Sequence, residues 1–599
     1  MERKAGIIPR LKDSRYPRSI IIIDTEAYRG EKINGVETQT LRFGVSWYGK
    51  LDNDDRILDD EYYRFESGKD IATYIDQRAK KDSAIFVYAH NLVYDLQLSG
   101  LLPFLIEAGY EITTFVIEDP PTYIFLERGR SVIRFIDTFN YFQFSIEEMG
   151  KQLGLEKLTI PENEADNQLW FEYCKRDVEV LRDYLLGFIK FLRVHDLAGL
   201  AYTLAGQAFR TYRHRFMTCE IETHTRDNIL KLERAAYAGG RSEAFYIGKA
   251  PSVNWYKVDV NSMYPYVMRE QVYPTRLIGY SENISVERLR ALIERYYVIA
   301  EVSLDTDQPV YPYRMGHKLI FPVGQFVSTL HKIELENALA YDHIDKVNKV
   351  AIYDEADIFS EYVNYWYRVK VEAELQGNKI QRQIAKLFLN SLYGKFGQRG
   401  IQSEVMENPD TPQYGRITGY SEALGTTVEI NYLGTQIEIR YQEGEAYYAC
   451  PAIAGAVTAY ARMYLWYLMT LAGKENVKYC DTDSLIVNEQ GYQRLSDMID
   501  SNALGKLKLE GVETHLIIHS VKDYEYGVEV HRKGVPKNAV VLVGGRFEYD
   551  QFRGGKTWVK DGLNAGVIVT TRIKERKGSY DKGIVLPDGS VIPLTLICG

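Results

Sequence analysis

Asp481 and Asp483 stand one residue apart in Tyr479-Cys480-Asp481-Thr482-Asp483-Ser484, with Val477 before them and Leu485-Ile486-Val487 after. The flanking apolar residues predict a hairpin, and residues i and i+2 of a strand share a face. Two carboxylates on one face repel unless a cation lies between them, and Mg²⁺ is commonly held by one or two carboxylates plus substrate phosphates. A plain surface turn competes with this reading, since Asp, Thr and Ser are common turn residues. Other acids tip the balance. Asp259 ends the alternating run Trp255-Tyr256-Lys257-Val258-Asp259-Val260, and Asp24, Glu26, Asp95 and Asp177 form a second set. Paired-metal sites hold two ions close together to activate one oxygen and stabilise the leaving one. Both sets suit phosphoryl transfer.

The elements that must position these acids are legible as periodicity. Residues 19–25 and 84–89 are β-branched, apolar runs that predict buried strands, with a third at 131–136. Helical spacing over 166–194 carries Tyr173 and Asp177, so three strand ends and one helix gather the second set in one α/β domain of about 190 residues. Residues 200–250 read as mostly helical until Tyr237-Ala238-Gly239-Gly240, where Gly-Gly permits positive φ and close approach. Strands are expected at 255–260, 298–304 and 351–353, and two helices over 359–397 with a break at Gln376-Gly377-Asn378. The stretch 400–449 is polar and strand-forming. A helix over 452–471 ends at Gly473 and leads into the acidic hairpin, and 535–599 is strand-rich. There are no internal repeats.

At 599 residues the chain exceeds one hydrophobic core. It is 45% hydrophobic and 26% charged, without a low-complexity tract or an apolar run long enough to span a bilayer. The basic N-terminus lacks an apolar signal core, so a cytoplasmic protein is expected. Five scattered cysteines at no zinc-finger spacing predict a reducing compartment without structural zinc. The net charge of −9 argues against a nucleic-acid partner, but distribution outweighs the sum. Lys370, Lys379, Arg382, Lys386, Lys395 and Arg399 form one basic stretch, and Arg532, Lys533 and Lys537 another. The 47 tyrosines suit stacking on bases as well as core packing.

Asp259-Val260-Asn261-Ser262-Met263-Tyr264-Pro265 resembles motif A of the family B DNA polymerases. Lys386-Leu387-Phe388-Leu389-Asn390-Ser391-Leu392-Tyr393-Gly394 resembles motif B, and Tyr479 to Ser484 motif C, in the family's order. Asp24/Glu26, Asn91 to Asp95 and Tyr173 to Asp177 resemble the three 3′–5′ exonuclease motifs. The likeness is closest to the protein-primed branch of bacteriophages, linear plasmids and some larger viruses. Tyr237 to Gly240 is similar to that branch's YxGG/A linker, Thr458 to Arg462 to its Tx₂AR motif, and Lys522-Asp523-Tyr524 to its KxY motif. Met263 stands where Leu is usual, a volume-preserving change.

The resemblance implies an α/β multidomain protein: an RNase H-like exonuclease domain (1–200), then a right-hand polymerase. Its palm would span 201–304 and 447–550, its fingers 366–397 and its thumb 551–599, with terminal-protein-region-like insertions at 305–365 and 398–446. It implies two Mg²⁺ ions per active site, with Mn²⁺ as an alternative. Asp259, the Val260 carbonyl and Asp483 would bind the polymerase pair, supported by Asp481. Asp24, Glu26, Asp95 and Asp177 would bind the exonuclease pair, with Tyr173 orienting water. Lys370, Arg382, Lys386, Asn390, Tyr264 and Tyr393 would meet the nucleotide, Tyr264 as the steric gate against ribose. DNA contacts would come from Asn91, Tyr94, Thr138, Phe139, Tyr237, Gly239, Gly240, Arg462, Thr482, Lys522 and Tyr524. Lys157 matches an exonuclease lysine as well as it matches a surface residue. Implied partners are template-primer DNA, dNTPs and a terminal protein, for a monomeric enzyme without membrane contact. Starting on a nucleic-acid primer, or without one, is the alternative mode. An inactive DNA-binding scaffold and a nuclease that merely grips DNA are less favoured, since all seven candidate carboxylates are present.

Overall fold

A computed structural model describes residues 3–12, 15–54, 56–118, 120–162, 166–408, 413–576 and 579–597. In the N-terminal domain, the β-branched strand Ser19–Arg29 lies parallel to Ala84–Ala89, which lies parallel to Ser131–Asp137. Ile20, Ile21, Ile22 and Ile23 are all buried, so both faces of the first strand are covered. The helix Asn167–Val194, capped by Asp166, packs on this strand and on Val36–Leu51. Parallel strands buried on both faces read as continuous apolar runs, which is why these elements were predictable.

The central sheet has the order Ser242–Ala244, Val477–Asp481, Ser484–Asn488, Trp255–Val260, Leu507–Glu513. The strand bearing Asp259 therefore lies between the second arm of the acidic hairpin and 507–513. Behind it runs Pro451–Ala472, a helix buried along almost its whole length. The helices Ser360–Leu375 and Lys379–Ser391 form the expected pair, with Asn378 capping the second. Phe388 of that helix stacks on Trp366 at 4.1 Å, and Trp366 meets Phe191 of the long N-terminal helix. Residues 399–445 form a four-stranded antiparallel sheet of their own.

Two expected boundaries shift. The segment 305–365, expected as an insertion, shares its sheet with strands that precede it. Tyr297–Thr306 pairs with both Val323–His331 and Ile344–Ala356, and the last pairs with Tyr273–Glu282, so one sheet begins at Tyr273. The region 200–250 is also less helical than expected, with helices only at Leu204–Thr211 and Asp227–Ala236 and a π turn between them.

The segment 551–599, expected as a thumb, is shared between two neighbours. Val567–Glu575 pairs with Val36–Leu51, and Trp558, Val559 and Leu563 are buried in the N-terminal core. The chain then runs back over the central sheet: Ala244 N donates to Tyr580 Oη (3.2 Å), Lys582 Nζ to the Ser242 carbonyl (2.8 Å), and Val591 N to the Phe245 carbonyl (3.0 Å). Sequence periodicity gives strands but not their partners, so this return was not readable. Trp558→Ala is expected to lower unfolding free energy by about 3–5 kcal/mol through the cavity it leaves, measured by urea denaturation of the N-terminal domain's transition. An unchanged transition would show that the tail is not part of that core.

Candidate active sites

The acidic hairpin turns too tightly for Asp481 and Asp483 to behave as i and i+2 of one strand. Thr482 has φ of 60°, and Asp483 N donates to the Asp481 carbonyl at 2.7 Å. Asp481 accepts from Ser242 Oγ (2.6 Å) and sits 3.6 Å from Lys522 Nζ. Asp483 turns the other way, toward Asp259. Val260 N donates to the Asp483 carbonyl at 2.8 Å, and Asp259 is in register with Ser484. Burial, then repulsion by Asp483, pushes the Asp259 carboxyl up to about 7. Burial likewise raises Asp483 to about 6, reinforced by Asp481 and Glu510.

Glu510 was not anticipated. Between Lys257 and Val258 the ladder shifts register, so Glu510 is the extra residue of a bulge on 507–513. There it bears on both acids and pairs with Lys257 at 3.2 Å. No alternation pattern marks a bulge. Lys508, also unforeseen, faces Asp259 and joins Arg382 and Lys386 in acting on Lys370, whose pKa burial and these cations lower. Lys370 Nζ reaches Asn261 Oδ1 at 3.4 Å, and Lys386 is exposed. These cations thus bear on one another beside the acids, and Arg382 also pairs with Glu374 at 3.5 Å. Tyr264 and Tyr393 meet ring to ring at 4.6 Å, and a Cβ on Gly240 would lie 3.1 Å from both Tyr264 Oη and the Thr482 side chain. Gly240 is needed here for close approach, and Gly239 for its φ of 89°.

Other expected contacts are placed differently. Arg462 is fully buried: its guanidinium pairs with Glu334 (2.7 Å) and donates to the Gly239 carbonyl (2.5 Å), so it holds the linker in place of touching DNA. Tyr237 is held through its carbonyl by Arg314 (3.0 Å). The Tyr524 ring is buried, stacked on His531 at 4.4 Å and tilted against Tyr479. Asn390 is exposed and lines a separate cleft together with Leu387, Ser391 and Gly394.

In the N-terminal domain, Asp24 and Glu26 lie on the first strand, Asp95 one turn into the helix Leu92–Ser99, and Asp177 on the long helix. Burial raises all four carboxyls, Asp24 to about 7 with Asp177 adding repulsion, and Glu26 to about 9 with Asp24 and Asp177 adding it. Thr25 Oγ1 donates to Asp95 at 2.7 Å. Lys157 belongs to the site and not to the surface: its Nζ is 2.5 Å from Asp177 Oδ2 and 5.1 Å from the Tyr173 ring centre. Burial opposes its charge, but Asp177 overrides this and raises its pKa. Asn91 is exposed in the left-handed region, fixed by Asp137, which accepts from the main-chain N–H groups of Asn91 and Leu92 (both 3.0 Å). Tyr94 donates to Gln39 (2.8 Å). Thr138 is buried with its hydroxyl on the Ala89 carbonyl, leaving Phe139, edge-on to His90, as the accessible member of that pair.

The donor sets fit hard divalent cations. Each gathers carboxylates whose main obstacle to ionising is burial beside one another, and Asp177 Oδ1 is buried with no hydrogen-bond partner. No helix among the described residues is long and apolar enough to cross a membrane.

A family model described as DNA polymerase type B, organellar and viral, matches residues 161–412. A probable DNA polymerase of Neurospora intermedia is 23% identical over 410 residues, covering 65% of this chain and 41% of that protein. The DNA polymerase of Streptococcus phage Cp-1 is 24% identical over 472 residues, covering 72% and 75%. The chain spans less than half the length of the fungal relatives it matches. A solved structure of Phi29 DNA polymerase with primer-template DNA and incoming nucleotides shares the fold, with a TM-score of 0.65 at 17% identity, covering 94% of this chain and 100% of that one.

Raised carboxyl pKa values fix the sign of a pH effect. A folded state that binds protons more tightly than the unfolded one loses stability as pH rises from the unfolded pKa to the folded pKa. Metal-free protein is therefore expected to lose thermal stability from about pH 4 up to about 7 through Asp259. Asp259→Asn should flatten that part of the profile in chelator-treated samples. A profile identical to the parent's would contradict the described burial. In the matched segment, in its relatives and in its fold, the chain is similar to the family B DNA polymerases of the organellar and viral type.

Proposed function

We propose that the chain is a DNA-directed DNA polymerase with a 3′–5′ proofreading exonuclease, built for protein-primed replication of a linear genome. The observation that carries the polymerase reading is the pairing of Asp259 with Asp483 across the Val260–Asp483 hydrogen bond, beside the group of Lys370, Arg382, Lys386 and Lys508. Asp259, Asp483 and the Val260 carbonyl would hold a pair of Mg²⁺ or Mn²⁺ ions, which would supply charge neutralisation for phosphoryl transfer when bound. The chain's own residues do the rest. The four cations receive the triphosphate and stabilise charge that develops during transfer. The Tyr264–Tyr393 pair forms a wall against sugar and base, with Tyr264 excluding a 2′-hydroxyl. Lys522, tied to Asp481, offers a phosphate contact to the primer end, which positions without reading sequence.

In the N-terminal domain, Asp24, Glu26, Asp95 and Asp177 hold the hydrolytic ions, Tyr173 orients water, and Lys157 balances Asp177. Asn91 and Phe139 are the accessible groups for a frayed strand. A cleft of about 1370 Å³ runs from this domain to the second finger helix, lined by Arg134, Arg210, Lys395, Tyr123 and Tyr202. Its mixture of cations and rings suits a single-stranded template. Protein priming is supported by the likeness of Tyr237 to Gly240, Thr458 to Arg462 and Lys522 to Tyr524 to that branch, and by the separate sheets at 273–356 and 399–445.

Primer extension and exonuclease assays on the same preparations test this reading. Asp483→Ala is expected to cut extension by about 10²-fold or more while sparing hydrolysis, and Asp24→Ala the reverse. Extension unaffected by Asp483→Ala would refute the assignment. Tyr264→Val should raise ribonucleotide incorporation, and unchanged sugar selection would remove its gate role. Labelled dATP with a terminal protein encoded nearby should give a covalent protein–nucleotide adduct. Its absence alongside normal primer extension would favour initiation on nucleic acid.

A further inference from the structure

The turn that presents Lys522 is held from outside its own hairpin. Leu516–Ser520 and Asp523–Tyr526 are antiparallel partners, with Ser520 opposite Asp523 and Val521-Lys522 at the bend. Lys522 has φ of 63°, a conformation that residues with a side chain seldom keep unless their surroundings impose it. Two contacts flank it. The Lys522 main-chain N–H donates to Tyr479 Oη at 2.9 Å, and the next residue, Asp523, accepts at Oδ2 from Arg576 Nε at 3.1 Å. Arg576 directly follows Val567–Glu575, the strand that pairs with Val36–Leu51 of the N-terminal sheet. Its own main-chain N–H donates to the Gly545 carbonyl at 2.9 Å.

An ion pair on an open surface contributes little, so the setting decides what this one does. The Asp523 side chain is only 13% exposed, and its Oδ1 is buried with no hydrogen-bond partner. Removing Arg576 would leave that carboxylate uncompensated, one residue from the amine offered to a phosphate. The same turn sets the exposed Lys522 Nζ 3.6 Å from Asp481 Oδ1. We propose that Arg576 is a positioning residue for the primer end: paired with Asp523, it holds the turn that presents Lys522. The grip on the primer strand is thereby tied to a strand of the N-terminal sheet. Arg576 acts through Lys522 and is not itself a phosphate contact. The inference rests on reading Lys522 as a contact to the primer strand.

The test measures primer-template binding to full-length, chelator-treated protein over a series of salt concentrations. Each phosphate contact steepens the fall of log affinity with log salt by about 0.9. Lys522→Ala is expected to lower the slope by about one. Arg576→Ala and Asp523→Ala should each weaken binding and lower the slope in the same direction, and neither should add to Lys522→Ala. Asp523→Ala discriminates most sharply, because loss of a negative charge can by itself only strengthen attachment to DNA. Hydrolysis of single-stranded DNA with Mg²⁺, retained in each variant, reports that it is folded. If Arg576→Ala fails that check, Asp523→Ala carries the test. A parent-like slope or tighter binding in Asp523→Ala overturns the positioning role. A slope lowered by about two in Lys522→Ala/Arg576→Ala would make Arg576 a DNA contact in its own right, and overturns it too. A parent-like slope in Lys522→Ala removes the primer contact and this inference with it, whereas primer extension by the parent protein separately decides the polymerase reading.

Discussion

Two carboxylates that repel each other are held together by a main-chain hydrogen bond. Val260 N to the Asp483 carbonyl fixes the strand bearing Asp259 against a turn whose only way out is a left-handed Thr482. Every other feature of the central site follows from that constraint. Gly240 must lack a side chain because the turn lies against it, and buried Arg462 pins the Gly239 carbonyl so that the linker stays there. Such strain is tolerated where the surroundings determine it, and it concentrates at functional sites. The repulsion adds to the burial that raises the Asp259 carboxyl, and a cation between the two acids would relieve both.

The same logic builds the N-terminal cluster with different parts. Four acids come from a strand, a short helix and a long helix, and Lys157 offsets one of them. The long helix also ties the two sites together. Phe188 meets Phe388, Phe191 meets Trp366, and His195 Nδ1 bonds Tyr365 Oη at 2.8 Å. The helix that carries Tyr173, Cys174 and Asp177 is therefore packed directly on the helices that carry Lys370 and Lys386. With the C-terminal strands completing the N-terminal sheet, the chain closes on itself, and neither site sits on a freely hinged module.

What could be read from sequence was whatever depends on local pattern. The buried strands at 19–25 and 84–89, the long helix, the helix pair and the acidic hairpin all announce themselves through apolar period and turn residues. The seven acids were legible because their spacing and order resemble a known set of motifs. Long-range pairing was not legible. Nothing in the period of 567–575 says that it completes a sheet begun at residue 19, and nothing in 297–306 says that its partners lie on both sides of an assumed boundary. The bulge that sets Glu510 beside Asp259 and Asp483 has no sequence signature. Arg462 was expected to contact DNA because Thr458 to Arg462 resembles the Tx₂AR motif, and only its burial against Glu334 shows that its charge is already paired.

Catalysis at both sites, as proposed, requires cations between these acids. Crystals soaked in Mn²⁺ and measured near the manganese absorption edge would show where the ions go. The account predicts anomalous density between Asp259 and Asp483, and separately among Asp24, Glu26 and Asp177. Density confined to other positions, with Asp259 and Asp483 turned instead to Lys508 and Lys257, would contradict it.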